Sequence, residues 1–135
     1  MSDFKQTPSQ TVGPYFAYGL TPVQYGYPHG AVAGAELADP TSPGKHIEIT
    51  GQVLDGENAP INDAMVEIWQ ADSDGRYAHP NDPRASNQTF RGFGRCGTGT
   101  LSENRFAFRT VKPGSIDGEQ APHVSVIVFM RGLLT

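Results

Sequence analysis

Four histidines, a lone cysteine and one tyrosine beside a strand end are the chemically versatile side chains of this 135-residue chain. His29, His46, His79 and His123 are scattered, and no H-E-x-x-H spacing places two of them on one helix face to hold zinc. His46 opens a strand pattern, where an imidazole caps or faces solvent. His123 follows Ala121-Pro122 and precedes an apolar run, so its ring is expected to face an interior or a cleft. Tyr77, in Gly75-Arg76-Tyr77, lies just past a strand end, where loops carry function; on composition alone it is an ordinary half-buried tyrosine. Cys96 can form no internal disulfide and cannot by itself build a zinc site. With only Arg95 basic beside it, Cys96 reads as a small, partly buried side chain rather than a thiolate. Gly92-Phe93-Gly94-Arg95-Cys96-Gly97 fits G-x-G-x-x-G, but a dinucleotide site needs a strand before it and a helix after it. Neither flank shows one, so the segment reads as a Gly-rich loop. Asn87-Gln88-Thr89 is a glycosylation acceptor only in a secreted chain.

The elements that must position these residues are short. From Lys45 the chain alternates with period two, and Ile47, Ile49 and Val53 share one face of a first strand. Asp55-Gly56-Glu57-Asn58-Ala59-Pro60 is turn chemistry. Residues 64–71 alternate again, with Val66 and Ile68 toward a core and Glu67 and Trp69 on the other side. Residues 76–104 show no period. Phe106 and Phe108 alternate in a strand over 105–111, and Lys112-Pro113-Gly114 turns the chain. Residues 124–130 form an apolar run of strand length, expected to be buried on both faces. Residues 1–44 differ. They carry Pro8, Pro14, Pro22, Pro28, Pro40 and Pro43 among Phe16, Tyr18, Tyr25 and Tyr27, and read as an extended arm with a short helical turn at 31–38.

Composition sets the class. Glycine and proline together make one residue in five, which excludes long helices and coiled coils. The net charge is −4 with no basic stripe, so a nucleic-acid partner is not expected. No run of 18 apolar residues exists, and no apolar segment follows Met1, so neither a membrane span nor a secretion signal is expected and the location implied is cytoplasmic. Short strands, turn signals and no helical stretch give an all-β class, a β-sandwich over 45–135 behind the arm 1–44. Four strands are few for a sandwich. Either the arm contributes strands or something outside this sequence completes the fold.

The motifs resemble those of the intradiol ring-cleavage dioxygenases. The resemblance rests on Gly51-Gln52-Val53-Leu54-Asp55-Gly56, then residues 64–72, then Gly75-Arg76-Tyr77 and His79-Pro80-Asn81-Asp82. It continues through Phe108-Arg109-Thr110-Val111-Lys112-Pro113-Gly114 and Ala121-Pro122-His123-Val124-Ser125. The opening, Thr7-Pro8-Ser9-Gln10-Thr11-Val12-Gly13-Pro14-Tyr15-Phe16, resembles the start of members acting on 3,4-dihydroxybenzoate. The fold implied is the sandwich of that family.

The resemblance implies a non-haem ferric iron held by two tyrosines and two histidines. Tyr77 matches the first tyrosine and His123 the first histidine. Ile116 stands where the second tyrosine belongs, and Ser125 where the second histidine belongs. A phenol with an ordinary pKa of about 10 ionises near neutrality only when a metal stabilises it. Non-haem iron rests on at least three protein ligands. Tyr77 and His123 are therefore expected to be vestigial, with no metal on this chain. The implication is an iron-free α-type chain paired in a hetero-oligomer with a β-type chain that carries Fe³⁺. The pair would insert both atoms of O₂ into 3,4-dihydroxybenzoate, giving 3-carboxy-cis,cis-muconate. By the same resemblance Thr11, Gly13, Pro14, Tyr15 and Arg131 line the partner's substrate pocket. The family continues past this point with further strands, so C-terminal strands are expected to be missing here, with Leu133 and Leu134 leading toward one that does not follow. The rival reading is a non-catalytic β-sandwich binding module.

Overall fold

The computed structural model describes residues 16–84 and 88–134. Among them two antiparallel sheets face each other. β1 (His46–Gln52) pairs with β4 (Arg105–Val111) in the smaller sheet. The larger has the order β3 (Phe93–Gly97), β2 (Met65–Gln70), β5 (Val124–Met130) and β6 (Leu133–Leu134). Ahead of them stand a five-residue helix, α1 (Phe16–Leu20), and a 3-10 turn over Pro22–Tyr25.

Period-two patterning dictates the sheets. Ile47 and Ile49 are half-buried between exposed neighbours. In β2, Val66, Ile68 and Gln70 are buried while Glu67 and Trp69 are only partly covered. The core between the sheets is Leu37, Val66, Ile68, Cys96 and Phe108. Removing such side chains from water contributes about 1.5–3 kcal/mol each. Gln70 bridges the two sheets. Its Nε2 donates to the carbonyls of Ala71 (3.0 Å) and Val111 (2.9 Å), and its Oε1 accepts from Thr110 Oγ1 (3.1 Å). Every hydrogen-bonding atom of this buried amide is thereby engaged, as burial requires.

Five expectations are corrected. Residues 31–38 form no helical turn. They run extended, with bridges from Glu36 to Arg109 and from Ala38 to Phe90, and they carry Leu37 into the core. The helical turns lie earlier, in α1 and at Pro22–Tyr25. Residues 76–104 are not all loop, because the Gly-rich segment is β3, paired with β2 from Met65↔Gly97 to Trp69↔Phe93. Glycine breaks the hydrophobic pattern there for a packing reason. A Cβ on Gly94 would lie 2.5 Å from Leu37 Cδ1, so the position must stay bare for Leu37 to reach the core. Leu133 and Leu134 do pair, against Phe129 and Met130, as β6.

The fourth correction concerns β5, which is not buried on both faces. Val126 shares a register position, and hence a face, with Ile68. Yet Ile68 is 2% exposed and Val126 55%. The two-stranded sheet is narrow. It covers β2 and β3 and leaves β5 overhanging, and Ile127 on the opposite face is 45% exposed. The fifth concerns His123, whose ring does not face an interior. It is exposed, with Nδ1 3.0 Å from the carbonyl oxygen of Ala121.

Candidate functional site

β2 carries a candidate site at each end. At its C-terminal end Asp72 organises the turn: its carboxylate accepts the backbone N–H groups of Asp74 and Arg76, both at 2.9 Å. Its carbonyl accepts from Gly114 (2.8 Å), which docks the Lys112-Pro113-Gly114 turn against the Gly75-Arg76-Tyr77 turn. Gly75 has φ +76, and any Cβ there would collide with the Ser115 carbonyl, so the two turns nest only around glycine.

Tyr77 is thereby aimed back at the sheet. Its ring stacks on Trp69, centroids 5.5 Å apart and planes within 2°. His79 meets the same indole edge-on at 6.3 Å, and Phe93 lies 6.4 Å away. A cleft of about 610 Å³ opens beside Trp69, Tyr77, His79, Asp82 and Arg84. Asp82 and Arg84 tie it together. Asp82 accepts from Tyr77 N (2.9 Å), Arg84 N (3.0 Å), Arg84 Nε (2.9 Å) and Arg84 Nη2 (2.8 Å). The hydrogen bonds of the Arg84 side chain come first among the causes that hold the Asp82 carboxyl well below the usual carboxylate range. Arg84 Nη1 donates to the Ile116 carbonyl at 2.9 Å.

The four positions matched to a ligand set do gather at this end. Tyr77 N donates to Asp82, and Arg84, paired with Asp82, donates to the Ile116 carbonyl. Ser125 is the register partner of Trp69, and His123 directly precedes β5. A guanidinium lies between the Tyr77 turn and the Ile116 turn. Among the described residues no three His, Cys, Asp or Glu side chains converge. Cys96 is buried, and burial pushes its thiol up, away from thiolate chemistry. Thr11, Gly13, Pro14 and Tyr15 lie outside the described residues, as does Asn87 of the sequon.

Arg131 is at the other end of β2. It occupies the two-residue turn between β5 and β6, with Gly132 at φ +76. Its Nε lies 3.0 Å from Asp63 Oδ2. Arg131 lies six residue steps beyond Ser125, and at about 3.4 Å per step that is roughly 20 Å. The structure therefore does not bring Arg131 to the Tyr77 corner. Sequence reasoning missed Trp69 as the stacking platform, Asp82 and Arg84 as the clamp, and Asp63 as the ion-pair partner. The Asp-x-Arg spacing of 82 and 84 was the available signal for the clamp, since a carboxylate two residues before an arginine can chelate it.

The fold and the Tyr77 corner define a class, and comparison with known proteins agrees. A family profile described as Dioxygenase matches residues 12–132, and the chain belongs to that family. Within it the chain is similar to the alpha chain of protocatechuate 3,4-dioxygenase. It is 50% identical to that of Burkholderia cepacia over all of this chain and 68% of the relative. It is 38% identical to that of Pseudomonas putida over 95% of this chain and 64% of the relative. The beta chain of the B. cepacia enzyme is 37% identical over 75% of this chain and 41% of its own length. The chain thus spans about two thirds of the alpha chains it matches. Among solved structures, an intradiol ring-cleavage dioxygenase from Tetranychus urticae shares the fold at TM-score 0.61 and 22% identity, covering 97% of this chain and 62% of that one. The dioxygenase domain of a carbohydrate-binding fusion from Streptomyces sp. SirexAA-E does so at 0.59 and 24%, covering 96% and 71%. No helix among the described residues is long and apolar enough to cross a membrane.

Proposed function

We propose that this chain is the iron-free α-type subunit of a protocatechuate 3,4-dioxygenase. It pairs in a cytoplasmic hetero-oligomer with a β-type chain that holds Fe³⁺. The reaction takes one 3,4-dihydroxybenzoate and one O₂ and gives one 3-carboxy-cis,cis-muconate, the bond between the two hydroxyl-bearing carbons breaking and each carbon gaining an oxygen. The observation that carries the reading is the tied-off Tyr77 corner. Ile116 and Ser125 offer no phenol or imidazole, His123 turns to a backbone carbonyl, and the Arg84 cation is bonded to the Ile116 carbonyl. That set does not fit a ferric centre, so the redox chemistry is assigned to the partner.

What this chain contributes is recognition. Arg131 stands about 20 Å from its own Tyr77 corner, which supports its serving a pocket built by another chain. Its side chain is 63% exposed, and a guanidinium fork matches the substrate carboxylate. Thr11, Gly13, Pro14 and Tyr15 would line the same pocket, with Gly13-Pro14 letting backbone approach closely. The overhanging apolar flank of β5, with Val126 and Ile127 exposed, suits a chain that is covered by more structure in its working state. A free-standing binding module would leave the exposed Arg131 without a role.

The test is co-expression with a β-type chain, followed by iron assay and oxygen uptake with 3,4-dihydroxybenzoate. The pair should co-purify, hold iron and consume oxygen, while this chain alone should be colourless. Near-stoichiometric iron and tyrosinate absorption in this chain alone would overturn the reading.

A further inference from the structure

We propose that Asp63 is a positioning residue for Arg131, holding the guanidinium from behind so that its outer edge faces the substrate carboxylate. The inference rests on the assignment of Arg131 to the partner's pocket. Its geometric basis is independent of that assignment.

Strand pairing puts the two residues together. Met65 pairs with Phe129 at the end of the β2–β5 ladder. Extending that register two residues further places Asp63 opposite Arg131, on one face and within side-chain reach. The contact is one-sided. Arg131 Nε is 3.0 Å from Asp63 Oδ2. The terminal Nη groups have no partner among the described residues. The Asp63 side chain is 17% exposed and the Arg131 side chain 63%. The carboxylate is thus a partly buried anchor and the guanidinium projects outward from it.

Asp63 also carries the one buried side-chain oxygen without a hydrogen bond among the described residues, Oδ1. An unpaired buried acceptor is unfavourable and uncommon. A carboxylate kept there purely for packing would do better as a smaller or apolar side chain. Among the described residues its one ion-pair partner is Arg131. Arginine's five donors lie in one plane, so a partner at Nε sets that plane and leaves the Nη edge for a second carboxylate. The other ion pairs of the larger sheet lack this asymmetry. Arg95 and Glu67, at 2.5 Å, are both largely covered and leave nothing projecting.

The test uses the assembled enzyme with its β-type partner. The measurements are KM and kcat for 3,4-dihydroxybenzoate, and Ki for catechol, the same ring without the carboxylate. Asp63→Ala should raise KM about 3–10-fold with kcat and the catechol Ki unchanged. Asp63→Asn, which keeps an oxygen at the same place, should recover part of the loss. In an Arg131→Ala background Asp63→Ala should add nothing further. Equal effects on 3,4-dihydroxybenzoate and catechol, additivity in the double variant, or failure of both Asp63 variants to assemble would make the residue structural and overturn the proposal. If Arg131→Ala leaves KM unchanged, the assignment of Arg131 itself falls. If Arg131→Ala raises KM and Asp63→Ala does not, the role of Asp63 alone falls.

Discussion

The two ends of β2 carry the same kinds of groups in opposite states. At the Tyr77 end both oxygens of a carboxylate and all three nitrogens of a guanidinium are engaged: Asp82 accepts four hydrogen bonds, and the Arg84 Nη1 that Asp82 leaves over donates to the Ile116 carbonyl. At the Arg131 end the carboxylate keeps an orphan oxygen and the guanidinium keeps a free edge. An ion pair with every nitrogen and oxygen engaged holds turns together. One with valences left over can receive a ligand. On the proposed reading, the Tyr77 corner of this chain serves as scaffold and the Arg131 end as the part that meets a ligand.

Substitutions at the two ends of β2 should have different consequences. The largest functional effect should come from Arg131→Ala in the assembled enzyme. A charge-assisted hydrogen bond of about 1.5–3 kcal/mol corresponds to a loss of roughly 10–100-fold in kcat/KM for 3,4-dihydroxybenzoate. Unchanged kinetics would place Arg131 outside the pocket. Next, Gln70→Ala removes the amide linking the sheets and strands Thr110 and the Val111 carbonyl; denaturant unfolding should show about 1–3 kcal/mol lost, whatever the effect on activity. Arg84→Ala should loosen the Tyr77 corner, lowering Tm without changing KM in the assembled enzyme. A rise in KM would mean that the corner contacts substrate after all.

Acid should act on the same corner. The Asp82 carboxyl is depressed in the folded chain, so its contribution is fully present above the unfolded carboxylate value of about 4 and is lost as pH falls toward the folded one. Amide exchange at Tyr77, whose N–H donates to Asp82, should then show protection that is flat from neutrality to about pH 5 and falls only below about pH 4. Protection lost near neutrality would contradict the clamp.

Much of this was legible in the residues. Alternation located β1, β2 and β4, because half-buried strands write their faces into the sequence, and an apolar run of strand length located β5. β3 was illegible because Gly94 and Gly97 leave room for Leu37 and Tyr25, and a bare position carries no hydrophobic signal. The burial of β5 was misread because an apolar run states what wants cover, not what supplies it; the facing sheet is two strands wide. Tyr77, Ile116, His123 and Ser125 were matched to a ligand set by resemblance alone; in the structure the Tyr77 and Ile116 turns meet through Asp82 and Arg84, and Ser125 pairs with Trp69. Asp63 could not be found until the β2–β5 register was known, since 68 residues of sequence separate it from Arg131.

On the proposed function, the metal chemistry of the assembly does not use this chain's tyrosine. Its most direct test is Tyr77→Phe in this chain alone, assembled with an unaltered β-type partner, reading iron content and tyrosinate absorption. Both should be unchanged, with a stability change within about 0.5 kcal/mol. Loss of iron or of the absorption band would contradict it.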